Sequence, residues 1–372
     1  MNEIEAPAAS ASRVALTSRE QAVGVLFALW MVVGLFLDGW AHDNNKPETF
    51  FTPWHGVLYS GFVAAAAAAL VVAWRSQRPG AVWWSSLPRG HGLTLGALVL
   101  FALGALGDLV WHETFGFEVA LEALLSPTHL VLLVAGLVAL SAPLRAAWMA
   151  SDASPRSLRE FAPTVLSLAL LVALVGFFLL YLSPFVNDAA GARFDRVAAV
   201  PHDHPSTEVG ELQQVLGVAS ILVTTVLLVV PIHLVLRRWR PPPGTFALLV
   251  GVVVALFVGL DEFSQAGLLP AGVIAGTAAD VVVRRGWTAL AGVAATVAMW
   301  LAYFGLYQLT VGTVAWSAEL WAGTVILAGL VAAALGLLTA RLPVDNDRQG
   351  AAPLAPRTSL VPDQPSAAPM AR

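Results

Sequence analysis

The chain has no cysteine. Disulfides, iron–sulfur clusters and thiolate metal sites are thereby excluded, and with only five methionines a bound metal has imidazole and carboxylate as its ligands. Charge is scarce too. Only 12% of the 372 residues are charged and 58% are hydrophobic, where ordinary globular domains carry about a quarter charged residues. A soluble fold is excluded and a membrane-embedded one implied. Basic excess is also missing: 20 Lys and Arg stand against 24 Asp and Glu, a formal charge of −4. Nucleic acid is therefore set aside as a partner, as is a polybasic lipid-binding arm. Eight histidines remain to be followed.

A transmembrane helix takes about 20 predominantly apolar residues. Such runs cover 22–41, 54–74, 92–111, 127–148, 161–183, 212–236, 243–260, 266–283, 287–308 and 316–340, which makes ten. The eighth is weakest, because Pro270, several glycines and Asp280 lower its hydropathy, and nine is the competing count. Loop charges decide for ten. Arg75, Arg78 and Arg89 fall between spans two and three, and Arg145, Arg156 and Arg159 between four and five. Arg237, Arg238 and Arg240 follow between six and seven, Arg284 and Arg285 between eight and nine, and Arg13, Arg19, Arg341 and Arg348 at the ends. The odd-to-even connections have only Lys46, Arg193 and Arg196, and are rich in Asp, Glu and His. By the positive-inside rule both termini are cytoplasmic and the acidic, His-bearing loops face outward.

The expected fold is all-α, a polytopic integral membrane bundle of about ten transmembrane helices in the cytoplasmic (inner) membrane. A cytoplasmic segment, 1–20, precedes a retained first span, and a four-helix unit occupies 21–150. A second unit of about six helices fills 151–341, with an outer loop at 184–211. Residues 342–372, rich in Pro, Ala and polar residues, have too little apolar content to pack and are expected to be a disordered cytoplasmic tail. Ten of the 13 tryptophans (Trp40, Trp54, Trp74, Trp83, Trp84, Trp111, Trp148, Trp239, Trp287 and Trp316) lie near span ends and read as an interfacial belt.

One pattern occurs twice. Span one ends in FLDGWAHDNNKPETFFTPWHGVLYSGF and span three in LGDLVWHETFGFEVALEALLSPTHLVLLVAG. Each places Asp-x-x-x-His at the end of one helix and Thr/Ser-Pro-x-His at the start of the next. The residues are Asp38, His42 and His55 in the first copy, and Asp108, His112 and His129 in the second. Residues four apart share a helix face with Cβ atoms about 5–6 Å apart, close enough to chelate one ion. Ser or Thr at the cap and Pro at the first helical position set the next helix start. Thr52-Pro53 and Ser126-Pro127 therefore put His55 and His129 in its first turn. Spans one and three run the same way, so the two sites share a depth, as in parallel repeats.

One carboxylate and two imidazoles leave a coordination position open, the arrangement of a reactive site. The donor set suits copper, zinc, iron(II) and manganese, and is also the facial triad of non-haem iron. Glu118 and Glu122, four apart before the Ser126 cap, are candidates for orienting a ligand or relaying protons, ranked above Glu113. The second half echoes the plan faintly in Asp261-Glu262-Phe-Ser-Gln265, read as a polar loop in preference to a decayed copy. His202 and His204, with Glu208 and Glu211, form a loop cluster, and His91 and His233 read as interfacial.

Over roughly residues 30–140 the chain resembles the C subunit of the copper membrane monooxygenases, the particulate methane and ammonia monooxygenase family. Asp38, His42 and His55 reproduce that family's Asp-x3-His-x12-His motif with Thr52-Pro53 before the last His. The run from His112-Glu113-Thr114-Phe115 to Pro127-Thr128-His129 is similar to its Asn-x3-His…Pro-x-His motif, with Asp108 in place of Asn and a slightly longer interval. The resemblance implies copper at one or both sites, O2-dependent oxidation of a small apolar substrate arriving through lipid, and additional membrane or extracytoplasmic subunits. Membrane lipids and further copies of the chain complete the expected partners. The alternatives are a non-catalytic copper-handling membrane protein and a zinc-dependent membrane hydrolase.

Overall fold

The computed structural model describes residues 16–44, 46, 51–116, 124–150, 154–188, 190 and 205–341, and of 43, 205–211 and 341 the backbone alone. The tail 342–372 and the histidines His202 and His204 lie outside the described residues. Among the described residues regular structure is all helix, with no strand. The long elements are α1 (Ser18–Asp43), α2 (Pro53–Arg75), α3 (His91–Phe115), α4 (Pro127–Leu140), α5 (Ala142–Met149) and α6 (Leu158–Phe178). They continue with α7 (Pro205–Arg238), α8 (Thr245–Leu260), α9 (Leu269–Arg284), α10 (Ala291–Thr310) and α11 (Ala318–Arg341). Eight helical stretches are long and apolar enough to cross a bilayer, nine with the bent pair α4 and α5 taken together. The chain is a multi-pass helical membrane protein.

Local chemistry sets the helix starts. Thr17 accepts from the Glu20 N–H while Glu20 Oε2 accepts from the Thr17 N–H, a reciprocal cap that opens α1. Thr52 and Ser126 cap α2 and α4 by accepting from the His55 and His129 N–H groups, with Pro53 and Pro127 at the first turn. These are the starts expected from the two repeats. α1 lies along α2, α3 along α4, and α9 between α8 and α10. α6 is the axis of the bundle: 72% of its apolar stretch is buried, against 22–44% in the other long spans.

Two spans depart from the sequence reading. Instead of one helix over 127–148, α4 and α5 meet at 41°. Pro143 in the first turn of α5 cannot donate to the preceding turn, and its ring crowds it. Arg145, expected in a loop, instead closes this break. Its guanidinium donates to the Val138 carbonyl and Ser141 Oγ, and across to Thr94 Oγ1 on α3. The seventh span is α8, only 16 residues. That is about 24 Å at 1.5 Å per residue, less than the roughly 30 Å of hydrocarbon. It packs into the bundle, with Phe246, Leu249, Val253 and Phe257 buried. Its first N–H groups are satisfied by Asp280 of α9, which accepts from Phe246 and Ala247 at 3.3 and 3.1 Å. A carboxylate at a helix N-terminus is favoured by both the free N–H groups and the dipole. The residue that weakened span eight in the sequence thus terminates its neighbour.

Other residues leave the interface expected of them. His91 and His233 are both 5% exposed. His91 Nε2 lies 2.8 Å from the Ala69 carbonyl of α2, and His233 packs against Gly292 and Gly336. Trp74, Trp84 and Trp287 are exposed, as a belt requires, whereas Trp239 and Trp316 are buried. Trp239 sits between Trp148 and Phe161, each ring 5.3 Å away.

The first hairpin is held by backbone contact. A Cβ on Gly34 would come within 2.4 Å of Leu58 Cα, and one on Gly61 within 2.5 Å of Met31 N. Small residues let membrane helices approach this closely, and here they fix the spacing between the ends that carry Asp38 and His55. Gly34→Ala and Gly61→Ala should each cost about 1–3 kcal/mol by overpacking. Gly24→Ala and Gly56→Ala, where a Cβ meets nothing within 4 Å, should be neutral. Unfolding in mixed detergent followed by circular dichroism checks the difference.

Candidate metal centre

Both repeats come together at the same end of their hairpins. In the second, Asp108 and His112 stand one turn apart near the end of α3, and His129 enters from the first turn of α4. His112 Nε2 is 3.4 Å from Asp108 Oδ2, and His129 Nε2 is 3.3 Å from Asp108 Oδ1. One ligand atom from each residue lies within 4.8 Å of the others. Two ligands 2.1 Å from one ion at a tetrahedral angle stand about 3.4 Å apart, so the spacing fits a single small cation. The Asp108 side chain is 8% exposed and His112 10%, with His129 at 24%. The site is shielded yet approachable from the His129 side.

Neighbouring atoms orient this triad. The His112 Nδ1 lies 3.2 Å from the Gly116 carbonyl. A carbonyl only accepts, so Nδ1 carries the proton and Nε2 is the nitrogen facing Asp108. Gly116 ends α3 with φ of +82°, a conformation that costs other residues strain, and so brings its carbonyl back to the ring. Thr128 Oγ1 donates to Asp108 Oδ1 at 2.7 Å, with Ser126 Oγ 3.1 Å behind it. Thr128 was missed in the sequence, where it stood as the unspecified residue of Ser-Pro-x-His. Its signal was a hydroxyl at the second helical position, one residue before the ligand.

The first copy is looser. His55 Nε2 is 3.1 Å from Asp38 Oδ1, and His42 Nε2 is 3.8 Å from Asp38 Oδ2. Only the second copy closes its three ligand atoms within 4.8 Å, among the described residues. The difference lies at the helix end. Four residues after His42 stands Lys46, whose N–H returns to the Ala41 carbonyl, where the second copy has Gly116. His55 itself is well placed, with Nδ1 3.0 Å from the Thr52 hydroxyl and its ring stacked on Tyr59 at 5.9 Å. Asp38 Oδ1 is buried and makes no hydrogen bond, its ion-pair partner being the His55 Nε2 3.1 Å away. Trp40, on the same helix end, donates its indole N–H to Glu262 at 2.8 Å.

The remaining candidates divide. Glu118 and Glu122 lie outside the described residues, as do the side chains of Glu208 and Glu211. Glu113 is exposed. Asp261 and Gln265 do form the four-residue pair that the faint third copy suggested, Gln265 Nε2 lying 3.4 Å from Asp261 Oδ2.

Removing a hydrogen bond behind a metal ligand typically costs 10–100-fold in affinity. Thr128→Val should therefore weaken binding of an added divalent metal ion by about 10–100-fold without changing its stoichiometry, as measured by chelator competition. His112→Ala and His129→Ala should abolish the same event. No family model, curated protein or solved structure matches the chain.

Proposed function

We propose that this chain is a copper-binding protein of the cytoplasmic membrane that carries out monooxygenase-like, O2-dependent oxidation of a small apolar substrate. Asp108, His112 and His129 are the principal site, and Asp38, His42 and His55 the second. One observation supports this above the others: His112 has an acceptor at each ring nitrogen, the Gly116 carbonyl at Nδ1 and the Asp108 carboxylate at Nε2. A neutral imidazole has one N–H. The arrangement therefore calls for a cation at Nε2, either a second proton or a metal ion, and His129 faces the same carboxylate.

Copper would supply the O2 and electron chemistry at the coordination position that three protein ligands leave open. The protein's part is orientation and access. Thr128 and Gly116 hold the ligands. Access would be from the side of His129, the most exposed of the three ligands at 24%. The likeness of residues 30–140 to the copper membrane monooxygenase C subunit supports copper over zinc and iron, and with it the need for further subunits to deliver electrons.

In the same reading the chain makes ten crossings, α8 being a short one, with both termini cytoplasmic and the metal sites toward the extracytoplasmic face. The sorting of Arg to even-to-odd connections supports this orientation. Because the chain has no cysteine, single substitutions report cleanly. Ser76→Cys should react with an impermeant maleimide only from the cytoplasmic side, and Ser317→Cys only from the outside. The reverse pattern would overturn the orientation.

Metal content decides the chemistry. The purified protein should hold about stoichiometric copper with a type-2 EPR signal, lost in His112→Ala and His129→Ala. Stoichiometric zinc with no copper would refute copper and favour the membrane hydrolase. Products from short alkanes or ammonia under O2 with a reductant and the partner subunits should accompany the copper. Copper without turnover in that complete system would favour the copper-handling protein.

A further inference from the structure

The turn after α8 is the polar loop Asp261-Glu262-Phe263-Ser264-Gln265, and its backbone is strained. Among the described residues Glu262 and Phe263 are the two non-glycine residues at positive φ, +53° and +58°. L-residues adopt this conformation at a cost, which persists where the surroundings impose it. Two backbone bonds hold the turn: the Phe263 N–H donates to the Val258 carbonyl at 3.1 Å, and the Ser264 N–H to the Asp261 carbonyl at 2.8 Å. Glu262 is thereby brought to α1, where its Oε1 accepts from the Trp40 indole N–H at 2.8 Å.

The helix end that receives it carries the first triad. Trp40 stands midway between Asp38 and His42. Beside it Gly39 admits the neighbouring helices: a Cβ there would come within 2.6 Å of the Phe177 ring on α6 and 3.5 Å of Leu260 Cδ1. Leu260 is the last residue of α8 before the strained turn. The Trp40 ring also stands edge-on to Trp54, the residue before His55, at 6.5 Å, with Lys46 Nζ 5.3 Å from its centre. One indole therefore joins the end of α1, the start of α2 and the turn after α8. The second copy is built differently. Two residues after Asp108 stands the exposed Val110, and that helix end is closed by its own Gly116.

We infer that Trp40 and Glu262 are positioning residues of the first triad: they form a latch by which the second half of the chain fixes the end of α1, and with it the approach of Asp38 and His42 to His55. The inference rests on the reading of those three residues as a metal site. Neither Trp40 nor Glu262 is a ligand, and both act through the backbone of α1. The latch gives the strained turn its purpose. Where the second triad is closed by a glycine on its own helix, the first takes its support from a neighbouring segment.

The test uses the full chain in lipid nanodiscs, with His129→Ala disabling the second triad and copper(II) ion as the probe. Glu262→Ala removes the acceptor and keeps the strain at positive φ, whereas Glu262→Gly removes both. Chelator competition should show both variants weakened alike, by about tenfold, the lower end of what partners behind metal ligands supply, although Glu262→Gly has the higher melting temperature. Glu262→Gln keeps an acceptor oxygen and should bind as the parent does. Amide exchange over 38–46 reads the latch without metal, since the Asn44 and Lys46 N–H groups return to the Trp40 and Ala41 carbonyls. It should quicken in the Ala and Gly variants and not in Glu262→Gln. Affinity that follows melting temperature, Glu262→Gln as weak as Glu262→Ala, or exchange unchanged in all variants would overturn the latch. Quickened exchange in a parent that binds no copper would support the latch and refute the metal reading of the first triad.

Discussion

Hydrocarbon supplies no hydrogen-bond partner, and every other feature of this protein follows from that constraint. Backbone groups must be paired within each crossing, so the spans are helices. What helices leave over is at their ends, where the first N–H groups and last carbonyls lack partners. The chain places several of its polar side chains there. Thr17, Thr52 and Ser126 cap helix starts, Asp280 closes the start of the short helix α8, and Arg145 closes the break between α4 and α5. The triads are built from the same positions, with Asp108 and His112 in the last turns of α3 and His129 in the first turn of α4.

This economy explains why ionisable residues in the bundle have two roles. Asp280 is spent on the backbone, its two oxygens taken by Phe246 and Ala247. Asp108 keeps its oxygens for side chains: Thr128 and two imidazoles approach it, from two helices. The first kind of carboxylate holds the fold; the second is poised for a cation.

Much of this was legible because it is local. The helix starts at Pro53 and Pro127 follow from cap chemistry, and the Asp-x-x-x-His spacing makes one face. The repeat announced which residues would meet. Less local features were hidden. The sequence gives no sign that α8 is short and enclosed, and only its packing against α6 and α9 shows it. His91, His233, Trp239 and Trp316 are near span ends in the sequence yet buried in space, because position along a helix says nothing about which side a neighbour covers. Thr128 was hidden for a similar reason, its partner Asp108 being 20 residues away.

The sequence by itself determined the solvent, the helical class, the repeated hairpins and the donor set of the candidate sites, because apolar run length, cap residues and four-residue spacing act within one helix. Tertiary structure decided how Asp108 is met from the next helix, by Thr128 and His129 of α4. The two motifs read alike, but Gly116 at positive φ returns a carbonyl to His112 where Lys46 sends its backbone to Ala41. Tertiary structure also joined Trp40 to Glu262, since the end of α1 and the turn after α8 meet only when those two helices pack together. Contacts across helices depend on how closely backbones approach, and that is set by glycines such as Gly34, Gly61 and Gly276, whose neighbours no linear spacing names.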